Sequence, residues 1–158
     1  KKVVDDFPDV HLYIYGDGKD YEKNRVTDEV KSLGLENNVT LNDFTPDTAS
    51  LIANASAMLV PSQAYESFGL TIIEAMAFGI PVVATDVGGN GESLRHRKDG
   101  ILVPSKNVTK LSDALLELIN NKNIRNEYGL SSKIRFEENF TENSMKINLL
   151  KVLKSWKL

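Results

Sequence analysis

The chain has no cysteine and only two histidines among its 158 residues. Without cysteine it can form neither a disulfide nor a thiolate metal site. Its formal net charge of −3 argues against nucleic acid as a partner, because binding to a phosphate backbone depends on clustered lysine and arginine. It also lacks a recognisable signal peptide and any apolar run long enough to span a bilayer. We therefore expect one globular domain of ordinary size, located in the cytoplasm.

Short apolar runs alternate with helical patterns along the chain. This alternation predicts an α/β fold, with a Rossmann-like parallel sheet and helices on both of its faces. The first apolar run, residues 11–16, is rich in β-formers and is expected to be a buried strand. Residues 1–7 resemble the end of a helix that Pro8 stops. Further strands are predicted at residues 39–41, 57–61, 81–85 and 100–104, and helices at residues 21–33, 47–54, 70–78, 111–119, 124–136 and 141–156.

Residues 61–81, PSQAYESFGLTIIEAMAFGIP, are the most informative stretch. Ser67 is the predicted N-cap of a helix, and Gly79 suits the left-handed position just after its end. The helix between them is apolar on almost every side, so we expect it to be buried. Glu74 is its only charge. Because an unpaired buried carboxylate is costly, Glu74 should have a polar partner or face a cleft.

The start of this helix is a candidate anion site. Free amides beside Gly69 would bind phosphate, while Glu66 before the helix and Glu74 within it could bind sugar hydroxyls. In parallel sheets ligands bind at the carboxyl ends of the strands. Turns at residues 16–18, 42–46, 62–69 and 86–91, the last interpreted as flexible, all follow predicted strands. The alternative is a core helix with an acid near its positive end.

The string PSQAYESFGLTIIEAMAFGIPVVATDVGGNGE, followed by DGILV, resembles the C-terminal domain of retaining glycosyltransferases with the GT-B fold. This large family includes sucrose and mannosyl transferases. The E-x7-E pair, the EAMAxGxPVVA run, the GG-xx-E turn and the G-x-LV strand occur in order and at the family's spacing. The resemblance implies the donor-binding half of an enzyme that transfers a sugar from a nucleoside diphosphate, UDP or GDP. The product would be a polysaccharide or glycolipid.

The resemblance also assigns roles to individual residues. Glu66 would contact the hydroxyls of the transferred sugar and act as the catalytic residue, and Glu74 would hold the ribose. The base would lie near residues 41–44 and Pro61. No metal and no cofactor are implied, because the nucleotide sugar is the substrate. The remaining donor-binding residues would be the glycines of the first turn and the residues at the helix start: Gly16, Gly18, Phe68, Gly69 and Leu70.

The family domain normally opens with a central strand and a loop whose Arg and Lys bind the diphosphate. Neither precedes Lys1, and the lobe that binds the acceptor is also missing from the sequence. We therefore expect residues 1–158 to be a fragment that lacks the family's first strand and the N-terminal acceptor lobe, and to be inactive alone. The full-length enzyme is expected in the cytoplasm, with peripheral association at the inner face of the membrane as a further expectation.

Other functions remain open at this point. The chain could be a module that binds a nucleotide sugar without catalysis, or part of another GT-B enzyme such as an epimerase or a phosphorylase. A phosphorylase needs a lysine that carries pyridoxal phosphate, and nothing here marks one. A nicotinamide dehydrogenase is disfavoured because the third glycine of its fingerprint is absent after Gly16 and Gly18. We interpret His11 and His96 as structural or exposed.

Overall fold

The computed structural model describes residues 1–156. The chain divides into two compact units, Lys1–Thr48 and Ala49–Leu158. Their five strands form two parallel sheets, one of two strands in the first unit and one of three strands in the second. Helices connect the strands, so the predicted α/β class with parallel sheets is confirmed.

The first unit contains a parallel pair of strands and two helices. β1 pairs with β2 so that Leu12 lies opposite Val39 and Tyr15 opposite Asn42. The second helix is followed by Gly34 at φ 64°, the left-handed position that the sequence predicts. The elements are α1 (Lys2–Asp6), β1 (Leu12–Tyr15), α2 (Asp20–Ser32) and β2 (Val39–Asn42).

The expectation that the first strand is buried is wrong. The side chains of β1 are 39–61% exposed. The strand forms as predicted, but its sheet has only two members, and α2 contributes no buried residue to cover it. An apolar run of β-formers therefore set the conformation of this segment without fixing its burial.

The second unit contains the longer sheet, in the order β3-β4-β5. The central strand pairs in parallel on both sides, with Val83 opposite Leu59 and Ile101. The elements are α3 (Thr48–Ala53, whose first residue closes the first unit), β3 (Met58–Val60), α4 (Leu70–Ala77), β4 (Val82–Thr85), α5 (Asn90–Ser93), β5 (Gly100–Val103), α6 (Val108–Asn120), α7 (Lys122–Asn139) and α8 (Glu142–Ser155).

Helices cover both faces of this sheet, as predicted. Successive side chains of a strand point to opposite faces, and every residue of β4 is buried. Val82 and Ala84 pack in one apolar cluster with Ile72 and Met76 of α4. Val83 packs in the other with residues of α6, such as Leu118. This three-stranded sheet therefore holds the core, and its carboxyl edge carries the loop that leads into α4.

The boundaries of α4 correct one prediction and confirm another. Its N-cap is Gly69, not Ser67, and no side chain caps the helix. At its other end Gly79 has φ 68°, and the amides of Gly79 and Ile80 donate to the carbonyls of Met76 and Ala75. This pair of bonds is the Schellman motif that a glycine after a helix predicts.

The last helix, α8, begins after its N-cap Thr141, close to the predicted start. Its apolar residues Met145, Leu149, Val152 and Trp156, which share one stripe of the helix, are 47–64% exposed, and the helix contains no buried residue. Across residues 1–156, none of the helices combines the length and the apolar character needed to cross a membrane.

Candidate functional site

The amino end of α4 presents a run of unbonded backbone amides. In the described part of the chain, the N–H groups of Phe68, Gly69, Leu70 and Thr71 have no hydrogen-bond acceptor. The first acceptor inside the helix is the carbonyl of Gly69, which receives the amide of Ile72 at 2.9 Å. These amides, with the positive end of the helix dipole behind them, form the arrangement that binds phosphate in other proteins.

Gly69 gives this turn its shape, and two neighbours exclude any larger residue. Its φ of 68° lies in the left-handed region, which residues with a Cβ adopt at a cost. A Cβ at this position would lie 2.6 Å from Oδ1 of Asn90 and 2.9 Å from Cδ1 of Ile72. Position 69 therefore has room for the backbone of a glycine but not for a side chain.

The loop before α4 is held in place by the two strands beside it and the turn that follows β4. Thr85 donates its hydroxyl to the carbonyl of Ser62 at 2.5 Å, and Ser105 donates to the carbonyl of Gln63 at 2.7 Å. The amide of Gly89 donates to the carbonyl of Glu66 at 2.8 Å. A Cβ on Gly88 or Gly89 would overlap the backbone of residues 66 and 67.

These contacts correct the interpretation of residues 86–91 as a flexible turn. Gly89 and Asn90 are buried, and the segment ends in a helical turn, α5 (Asn90–Ser93). The glycines of this segment permit close packing against the loop that carries Glu66. They therefore make the loop rigid, where sequence reasoning took them as a source of mobility.

Glu66 lies three residues before the N-cap of α4 and is half-buried. One of its carboxylate oxygens lies 3.4 Å from the hydroxyl of Ser62, a long hydrogen bond within the loop. The other oxygen has no partner among the described residues. Glu66 therefore lies close in the chain to the free amides, and one of its carboxylate oxygens remains available to accept a hydrogen bond.

Glu74 does not lie where the sequence predicted. Only Ile72, Ala75 and Met76 are buried in α4, and Glu74 is exposed, with no hydrogen bond or ion pair in the described structure. It shares the exposed face of the helix with Leu70, one turn earlier. The helix covers one face of a three-stranded sheet, so its outer side meets solvent, and no buried charge has to be explained.

Gly16 and Gly18 belong to the first unit, where they form the turn after β1. The side chain of Asp17 accepts the amide of Gly18 at 2.8 Å, and Lys23 pairs with Asp17 and with Asp43, each at 2.9 Å. The hydrogen bonds to these two carboxylates raise the pKa of Lys23 above its ordinary value. Sequence reasoning missed this lysine, which places a cation beside the glycine turn.

The second unit thus brings Glu66, Phe68, Gly69 and Leu70 to the amino end of α4, and Glu74 lies one turn further along the helix. Within residues 1–156 no group of three or more His, Asp or Glu side chains is arranged to hold a metal ion. Sequence reasoning did not find the side chains that support the turn, because they are small polar residues without an obvious chemical role. They are Thr85, Asn90, Ser93 and Ser105.

Comparison with known proteins places this arrangement in a family. The family model described as "Glycosyl transferases group 1" matches residues 1–135. The chain belongs to the group 1 glycosyl transferases. The resemblance to this family and the GT-B fold expected from it are thereby confirmed.

The chain is also similar to individual proteins. The chain is 36% identical over 129 residues to an exopolysaccharide phosphotransferase of Streptomyces coelicolor, covering 81% of this chain and 14% of that protein. It is 30% identical over 137 residues to the poly(ribitol-phosphate) alpha-N-acetylglucosaminyltransferase of Staphylococcus aureus, covering 86% and 27%. The crystal structure of HepE from Anabaena, in complex with UDP, superposes with a TM-score of 0.89 at 25% identity, covering 98% of this chain and 45% of that one.

The chain thus spans less than half the length of each of these group 1 relatives. The shared portion includes the loop before α4, α4 itself and the glycine turn after β4, because the family match extends over all of them. Family and fold are therefore established for this chain, while the activity of a whole protein is a matter for proposal.

Proposed function

We propose that this chain is the donor-binding half of a retaining glycosyltransferase, which binds a nucleoside-diphosphate sugar and transfers the sugar to an acceptor for a polysaccharide or glycolipid. The observation that carries the proposal is the run of unbonded amides at residues 68–71 beside Glu66. In the transfer, the bond from the anomeric carbon to the diphosphate oxygen breaks. A bond to the acceptor oxygen forms, and the acceptor hydroxyl loses its proton.

The amides of Phe68, Gly69 and Leu70 are assigned to the diphosphate and the adjoining sugar. They have no acceptor within the described residues, so no protein hydrogen bond has to break before they meet the negative charge that grows on the departing diphosphate. Solved relatives bound to UDP and to UDP-glucose support a nucleotide at this family's donor site. We propose UDP as the first nucleotide to test and GDP as the second.

The two glutamates take different parts of the donor. Glu66, half-buried in the loop, is assigned to the hydroxyls of the transferred sugar and is the proposed catalytic residue, because it holds the ring at the reacting carbon. Glu74, exposed one turn into α4, is assigned to the ribose hydroxyls. Gly16 and Gly18 are proposed as the backbone turn beside the donor. Neither a metal nor a cofactor is part of this proposal.

Three further parts of the proposal concern the full-length protein. They are an N-terminal lobe that binds the acceptor, a cytoplasmic location and peripheral association with the inner face of the membrane. A complete reading frame and fractionation of cells that express it test these elements directly. The alternative function is binding of a nucleotide sugar without catalysis, which active full-length protein would rule out.

The experiment on the chain itself is calorimetric titration with UDP, GDP and UDP-glucose, each with and without EDTA. We expect weak binding of one nucleoside diphosphate that EDTA does not alter, and no sugar transfer, since both substrates must be oriented and water excluded for catalysis. Failure of both nucleotides to bind contradicts the proposed donor site. Sugar transfer by residues 1–158 alone contradicts the assignment of the chain as half of an enzyme.

A further inference from the structure

The turn at the amino end of α4 rests on residues of the glycine turn and α5. Gly89 donates its amide to the carbonyl of Glu66 at 2.8 Å, and Ser93 donates its hydroxyl to the carbonyl of Phe68 at 2.5 Å. The side-chain oxygen of Asn90 faces Gly69 so closely that a Cβ there would lie 2.6 Å from it. Gly89 also packs against the backbone of Ser67, so residues 89–93 contact each of the residues 66–69.

Arg135 of α7 holds the backbone of Ser93 in place. Arg135 donates from Nε to the carbonyl of Ser93 at 3.0 Å and from Nη2 to the carbonyl of Glu92 at 2.8 Å. Asp99, fully buried, lies 3.6 Å from Nε of Arg135 and accepts two hydrogen bonds from the guanidinium of Arg95 and one from its backbone amide. Burial is the largest single effect and raises the pKa of Asp99, but the hydrogen bonds from Arg95 and Ser131, with the charge of Arg95, together lower it. This charged cluster holds the backbone of Ser93 at a set distance from the turn.

A second contact fixes Phe68 from the side of its ring. The ring meets that of Phe140 edge to face, with centroids 6.0 Å apart, and Phe140 in turn lies 5.2 Å below the guanidinium of Arg135. Edge-to-face pairs and cation–π contacts both favour one orientation of the rings. Phe68 is therefore held at its carbonyl by Ser93 and at its side chain by Phe140.

We propose that Ser93 is a positioning residue for the diphosphate. Its hydroxyl fixes the carbonyl of Phe68, and this orients the amides of the turn toward the phosphate oxygens. This inference rests on the proposed function. Ser93 does not touch the ligand and acts only through the peptide unit that joins Phe68 to Gly69.

Asn90 provides an independent sign that this contact serves binding. It is fully buried, its amide donates to the carbonyl of Thr85 at 2.9 Å, and its oxygen has no hydrogen-bond partner within residues 1–156. Buried polar atoms are nearly always paired, so an unpaired acceptor against Gly69 is unexpected in a region selected for stability alone. Each such group in a native structure calls for an explanation, and a role in shaping the turn is one.

The test compares two buried serines. Ser93→Ala removes the bond to Phe68, while Ser132→Ala removes an equally buried hydroxyl that donates to the carbonyl of Gly129 at 2.8 Å, within α7. We expect Ser93→Ala to weaken UDP binding about three- to tenfold, the range that one neutral hydrogen bond supplies. Ser132→Ala should change it less than twofold. Ser93→Cys, which keeps a weak donor of similar size, should fall between wild type and Ser93→Ala.

Thermal unfolding of the variants separates binding from folding, and both alanine variants should lose similar stability. A second readout needs no nucleotide: ¹⁵N relaxation should show lower order parameters at Phe68 and Gly69 in Ser93→Ala, and unchanged ones in Ser132→Ala. Unchanged UDP affinity in Ser93→Ala, or equal losses in the two alanine variants, overturns the proposal. If the wild-type chain binds neither UDP nor GDP, the proposed function fails, and the relaxation data alone decide whether Ser93 positions the turn.

Discussion

The amino ends of the helices in the second unit differ in one respect. The N-cap side chains of α6, α7 and α8 each accept a backbone amide three residues later: Asn107 from Lys110, Asn121 from Ile124 and Thr141 from Ser144. α4 begins instead at Gly69, which has no side chain to offer. A capping side chain satisfies the amides that a helix leaves open. The amides of α4 are therefore available to a ligand, whereas those of α6, α7 and α8 are already partly satisfied.

The largest effect should come from closing this end of α4. Gly69→Ala places a Cβ against Asn90 and Ile72 in a left-handed residue, which should reduce the free energy of unfolding by about 2 to 4 kcal/mol. The shifted turn should also lose UDP binding. Urea unfolding and calorimetric titration measure the two effects.

Gly34→Ala is the matched control for Gly69→Ala. Its φ of 64° is similar, but a Cβ there would have no atom within 4 Å. We expect only the cost of the left-handed backbone, about 1 to 2 kcal/mol, with UDP affinity unchanged. Loss of UDP binding in Gly34→Ala, or its retention in Gly69→Ala, would break the distinction between α4 and the other helix ends.

Glu74→Gln tests the proposed ribose contact. A hydrogen bond to a charged group contributes about 1.5 to 3 kcal/mol, so the variant should bind UDP and UDP-glucose alike at least about tenfold more weakly. Because Glu74 is exposed and unpaired in the described structure, stability should not change. A loss of stability without a change in affinity would instead support a purely structural carboxylate.

Glu66→Gln should separate the two ligands. Glu66 is assigned to the sugar beyond the diphosphate, so affinity for UDP should stay nearly constant while affinity for UDP-glucose falls by the amount of one charged hydrogen bond, about tenfold. In a full-length enzyme turnover should fall as well, since a misheld ring misplaces its reacting carbon. Titration of the folded variant with both ligands decides the matter. Equal losses for both ligands would refute the assignment.

The smallest effects should come from the capped helices. Asn107→Ala and Asn121→Ala each remove one cap and should reduce the free energy of unfolding by about 1 kcal/mol. Neither variant should alter UDP binding. Chemical denaturation gives the stability change, and a matching loss of affinity in either variant would show that helix ends in general, rather than α4 alone, control the site.

The sequence predicted well the features that depend on neighbouring residues. The order of strands and helices, the helix end at Gly79 and the parallel pairing follow from local pattern and turn chemistry. Features that depend on distant residues were predicted less well. The exposure of β1 and of Glu74 depends on how many elements surround each segment, which apolar composition does not reveal.

The N-cap of α4 shows why local rules failed at the candidate site. Ser67 has the side chain that N-caps prefer, but its backbone is packed against Gly89, and the helix starts two residues later. The contacts that support the turn join residues that are far apart in the chain. Ser93 and Phe68, for example, are 25 residues apart. No pattern within a short window encodes such a contact, and a glycine-rich run is ordinarily taken as a loop.

The most direct test of the central claim is a ¹⁵N NMR titration of the chain with UDP. If the amino end of α4 receives the diphosphate, the amides of Phe68, Gly69, Leu70 and Thr71, unbonded in the described structure, should show the largest shifts. The amides of Lys110, Ile124 and Ser144, which donate to the capping side chains of their own helices, should not shift. Saturable UDP binding that leaves residues 68–71 unshifted while perturbing amides elsewhere would contradict the account.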